Sequence, residues 1–137
     1  MNKIVLLPVF AQIALTFVLM LWMGALRYAA VKGRDVRPKD ILLGQQAWPA
    51  RVAQIDRAFH NQMELPVVFY ALVAMVLAAR AETPAFVWWE WLFVALRLAH
   101  AFVHVTSNQL ALRFGLFVAG ALTLIAMWLW FAARLYA

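Results

Sequence analysis

Four side chains able to carry charge or accept and donate hydrogen bonds, Arg57, His60, Asn61 and Glu64, recur at i, i+3, i+4 and i+7. On a helix of 3.6 residues per turn they share one face. The run that follows them, Leu65 to Ala79, is almost wholly apolar. An arginine or aspartate near the centre of a membrane helix costs about 2.5–3.5 kcal/mol even on insertion-based scales. Such a face therefore turns toward protein or gathers round a polar ligand. A second stripe, Arg97, His100 and His104 at i, i+3 and i+7, has the same character. Arginine forks and histidines on one face suit the binding of an anion.

The elements that hold these groups are membrane spans. The 137-residue chain is 67% hydrophobic and 13% charged, too little polar surface for a soluble domain of this length. Four apolar segments of bilayer length are predicted, at about 4–26, 57–79, 85–106 and 110–133. They make one all-α, four-transmembrane-helix domain over residues 1–137. A cleavable signal peptide is the competing reading of the first segment, which is too long for an h-region. The sequence has no cysteine, which excludes disulfides, thiolate metal sites and thiol nucleophiles.

The loop from 27 to 56 carries Arg27, Lys32, Arg34, Arg37, Lys39 and Arg51, with Arg57 at its edge, against Asp35, Asp40 and Asp56. The positive-inside rule puts this loop in the cytosol and both termini on the other side. The same rule accounts for the net charge of +6 without nucleic acid. Trp88, Trp89 and Trp91, with Trp128, Trp130 and Tyr136, fit an aromatic belt at the non-cytosolic interface.

Spans two and three are consecutive and antiparallel, hence neighbours. At 1.5 Å per residue, Glu64 lies roughly 10 Å, His100 about 9 Å and Arg97 about 14 Å from the cytosolic end of its span. The two stripes can meet, with Glu64 and Arg97 as the expected buried ion pair. Arg27, Arg57 and Arg113 would ring the mouth of a basic funnel. The funnel suits a polar anion from the cytosol and an apolar co-substrate from the lipid.

The run Arg57-x-x-x-Asn61-x-x-Glu64 followed by Pro66, in span two of a four-span chain, resembles the MAPEG family, the membrane-associated proteins in eicosanoid and glutathione metabolism. Arg97-x-x-His100, Arg113 and Gly24-x-x-Arg27 extend the resemblance, and the chain looks like a bacterial-type member. It implies a homotrimer of four-helix bundles in a bilayer, for a bacterial chain the inner membrane. Glutathione would be the co-substrate or cofactor, bound between subunits near the cytosolic face. Arg57, His60, Asn61, Glu64, Arg97, His100 and His104 would then bind glutathione, and Arg27 would meet it from the adjoining subunit. Arg113 would be the catalytic group, stabilising the thiolate. The activity implied is a glutathione-dependent transferase or peroxidase acting on a lipophilic electrophile. The chain departs from many glutathione-using members at three positions. His60 stands where they carry a further arginine, His104 where a tyrosine is common, and Leu65 where an aromatic follows the glutamate.

Two rival readings remain. One is a non-catalytic membrane subunit or scaffold, for which Gly115-x-x-x-Ala119 with Gly120 offers a small-residue packing face. The other is a metal or haem site built from the i, i+4 pairs His60/Glu64 and His100/His104. Arg57 and Arg97 on the same faces oppose a cation.

Overall fold

A computed structural model describes residues 2–42 and 47–136; the part of the first loop at 43–46 lies outside them. The described chain is helical: α1 Asn2–Lys32, α2 Ala50–His60, α3 Leu65–Ala78, α4 Pro84–Val105 and α5 Leu110–Tyr136. Short 3-10 turns occupy Pro38–Asp40 and Asn61–Met63. Four helical segments are long and apolar enough to cross a membrane, with α2 and α3 together forming the second. The protein is a multi-pass integral membrane protein built as a four-helix bundle.

Local sequence explains the ends. Thr83 caps α4 by accepting from the Phe86 amide at 3.1 Å, and Pro84 begins the helix where its missing N–H costs nothing. α1 runs on to Lys32, where Gly33 follows and Arg34 adopts φ 63°. The second span begins at Ala50, just after Pro49, seven residues before the expected Arg57. Pro66 then interrupts it. A proline inside a helix loses one hydrogen bond, and its ring clashes with the carbonyl four residues back, here that of Gln62. The chain answers with the tight turn at Asn61–Met63 and an irregular Glu64 (φ −99°, ψ −107°).

Helices in lipid gain little from burying apolar surface against one another. They are held by close packing and by polar links. The main apolar core, toward the tryptophan-bearing end, includes Val5, Phe69, Leu72, Phe86, Phe93, Met127 and Phe131. Phe69 and Phe93 stack there with ring centroids 4.7 Å apart. A smaller core of Leu19, Ile55, Ala58, Ala101 and Val105 lies toward the basic end. Along α1, α2–α3 and α4, the residues between these clusters are polar and buried: Gln12, Gln62 and Arg97. Gln12 Nε2 donates to Gln62 Oε1 at 2.9 Å. This amide pair ties α1 to the turn before α3. Gln62→Leu should lower stability by about 1–2 kcal/mol by stranding Gln12. The double change Gln12→Leu/Gln62→Leu should recover most of that loss. Thermal melts in detergent check both, and equal losses in the single and double variants would contradict the link.

The expected aromatic belt divides in two. Trp88, Trp89 and Trp91 are exposed, whereas Trp128 and Trp130 pack against the main core. Trp130 stacks on Phe86 at 5.4 Å. The small-residue face divides as well: Gly120 is buried near Leu65, while Gly115 opens outward.

Candidate functional site

The two polar stripes do not form one wall. Arg97, His100 and His104 point into the bundle and are 1–3% exposed. Arg57, His60 and Glu64 point out of it, with Asn61 half-buried between. The direction is already set in α2, which buries Val52, Ile55 and Ala58 and so leaves Arg57 and His60 outward, and Glu64 stays on that side beyond the turn at Asn61–Met63. The expected Glu64–Arg97 ion pair is absent among the described residues: Glu64 is exposed, and Arg97 Nη2 instead donates to the Asn61 carbonyl at 2.9 Å. That bond is the direct link between the two stripes. The Nε and Nη1 of Arg97 and both ring nitrogens of His104 are buried with no partner among the described residues. His100 lies edge-on to His104, with ring centroids 5.8 Å apart.

At the basic end, Arg27 forms an ion pair with Asp56 and stacks over Trp48, its carbon 5.1 Å from the ring centre. Both contacts are made within the one chain. Asp56 also faces His60, whose Nδ1 lies 2.9 Å from the Asp56 carbonyl and 3.5 Å from its carboxylate. Asn61 Nδ2 donates to the Arg57 carbonyl at 2.9 Å. The Arg57 side chain has no ion pair or hydrogen bond among the described residues. It therefore stands free on the outer surface beside His60.

The sequence reading missed the residues that fix α4. Arg51 Nη1 donates to the Val105 carbonyl at 2.6 Å, and Gln54 Nε2 to the His104 carbonyl at 2.7 Å. The Phe102 carbonyl takes the Thr106 amide, and the Val103 carbonyl takes the Asn108 amide. The last four carbonyls of α4, which have no helical donor, are all satisfied. Arg51 is steadied by Trp22, 5.1 Å away. The signal was available, because the end of a span needs caps; a hydropathy boundary at Arg57 had placed Arg51 and Gln54 in a loop. Arg113, on the first turn of α5, donates from Nη1 to Asn108 Oδ1 at 2.5 Å.

Among the described residues no three His, Asp or Glu side chains cluster as metal ligands. Their separation is geometric: His60 and Glu64 flank the broken turn and face outward, while His100 and His104 face inward. An open apolar groove of about 580 Å³, lined by Ile4, Pro84, Val87, Trp88 and Trp91, lies at the opposite end of the bundle. It contains none of these polar groups.

The second span thus carries an outward polar face, with an inward arginine–histidine stripe on α4 and a capped α4 end beside it. A comparison with curated proteins returns no match. The model of the MAPEG family matches residues 5–133. That match takes in every span and both stripes, so the chain belongs to the MAPEG family, whose members are glutathione-related transferases, peroxidases or related membrane proteins and are generally oligomeric.

Proposed function

We propose that this protein is a glutathione-dependent transferase or peroxidase that acts on a lipophilic electrophile, with glutathione bound between subunits of a homotrimer. One observation carries the reading. Arg57, His60 and Glu64 face outward from a helical segment, Ala50–Ala78, that crosses the membrane. Lipid is a poor solvent for such groups. A neighbouring subunit and a polar ligand together supply what lipid cannot.

The ligand's chemistry matches the residue types. Glutathione has two carboxylates, one ammonium group and a thiol. Arg57 offers a bidentate fork to a carboxylate. Glu64 offers a counter-charge to the ammonium group, and Asn61 and His60 offer hydrogen bonds. Arg27 takes part by exchanging Asp56 for a ligand carboxylate. Arg97 holds the Asn61 backbone from inside, and His100 and His104 line the inner wall. A thiolate is the nucleophile where a thiol is not, and the fixed positive charge of Arg113 favours it. The thiolate sulfur then bonds to the electrophilic carbon, and the leaving group departs with its electron pair. The electrophile arrives through the bilayer. In this reading the basic loop and the glutathione face the cytosol, both termini lie on the other side, and the bacterial inner membrane is the home of the protein.

The direct test is glutathione consumption by the purified protein in detergent with a lipophilic aryl halide and, separately, with a lipid hydroperoxide. Turnover above the uncatalysed rate with either substrate supports the reading. No turnover with both, from protein that binds glutathione, leaves the family fold with a non-catalytic role.

A further inference from the structure

We propose that Asn108 is a positioning residue that holds the Arg113 guanidinium at the α4–α5 corner, aimed at the thiol of bound glutathione. This inference rests on the functional reading above. Its observations are independent of that reading.

Asn108 has φ 52°, in the left-handed region that glycine and asparagine tolerate best. Its amide closes the end of α4 by donating to the Val103 carbonyl at 2.7 Å. The backbone of the corner is thus fixed. The side-chain oxygen then accepts from Arg113 Nη1 at 2.5 Å. One of the five donors of Arg113 is used. Its Nε is buried with no partner among the described residues, and no carboxylate pairs with it there.

Helix stability does not explain this arrangement. The first turn of α5 holds no acidic residue, and a cation there opposes the helix dipole. An arginine placed against the dipole, unpaired and held by a neutral acceptor, keeps its full positive charge for something else. A carboxylate at position 108 would hold the guanidinium as well but would cancel that charge. Asparagine holds it without cancelling it. The corner also adjoins the end of α4 that Arg51 and Gln54 clamp. Asn108 therefore gives Arg113 a fixed place relative to His100 and His104.

The backbone makes a clean test possible. Asn108→Gly keeps the positive φ and removes only the acceptor. Asn108→Asp keeps both and adds a negative charge to the same guanidinium. Each is made in the wild type and in an Arg113→Gln background. Ionisation of the bound glutathione thiol is followed by thiolate absorbance during a pH titration, with kcat, KM and thermal melts alongside. In the wild-type background both substitutions should move thiol ionisation to higher pH. Asn108→Gly should lower kcat roughly tenfold to a hundredfold, the scale of a small misplacement, with KM and melting temperature little changed. In the Arg113→Gln background neither should have any further effect on ionisation, because Asn108 acts through Arg113. An unchanged titration for Asn108→Gly, or an equal shift with and without Arg113, overturns the proposal while leaving glutathione binding intact. Failure of the wild type to bind glutathione is a separate result: it removes the functional reading, and this inference with it.

Discussion

Arg57→Ala should weaken glutathione binding by roughly thirtyfold or more, as removing one member of a desolvated, hydrogen-bonded charge pair costs about 2–5 kcal/mol. Stability without ligand should barely change. The Arg57 side chain is exposed and makes no ion pair or hydrogen bond among the described residues. Substitutions at such positions usually stay within about 0.5 kcal/mol. The combination is what distinguishes a ligand contact from a structural one. Glu64→Ala should behave alike, because Glu64 is also exposed and does not bond to Arg97. Calorimetric titration of each variant, paired with melts of the ligand-free protein, checks the expectation. An Arg57→Ala protein that titrates like the wild type contradicts the placement of glutathione on the outward face.

Arg97→Met should act in two opposite directions. The guanidinium is 1% exposed, bonds only to the Asn61 carbonyl among the described residues, and has Nε and Nη1 without partners. A buried charge with incomplete partners is costly, and apolar replacement of buried ionic groups commonly stabilises by about 1–4 kcal/mol. The ligand-free variant should therefore melt at a higher temperature. Glutathione affinity should fall, because the bond that holds the Asn61 backbone in the outward wall is gone. Stability given up at a binding site is the usual trade. A lower melting temperature for Arg97→Met would make Arg97 a structural tie.

The spans were legible in the sequence because hydropathy is set by composition alone, and α4 and α5 begin and end close to where the apolar runs do. The start of the second span was not. Arg51, Gln54, Asp56 and Arg57 are polar, so hydropathy puts the start of the span at Arg57, while α2 begins at Ala50 beside Pro49. The first three serve as caps and latches: Arg51 and Gln54 on the carbonyls of α4, Asp56 on Arg27. Hydropathy has no means of showing that. Types and spacing identified the polar residues of both stripes, but periodicity groups residues on a face without saying which way that face turns. Packing decides that: α2 buries Val52, Ile55 and Ala58, so Arg57, His60 and Glu64 face outward and Arg97 is left to the Asn61 carbonyl. Gln12 was visible as a polar exception in span one. Its partner Gln62 was not, since the register of two helices fifty residues apart is set by packing.

The central claim, glutathione on the outward face of the second span, is tested most directly by calorimetric titration of glutathione into the detergent-purified oligomer. The account predicts a saturable heat at or below millimolar glutathione, a matching rise in melting temperature, and loss of both in Arg57→Ala. No heat and no thermal shift from the wild-type protein at millimolar glutathione would contradict it.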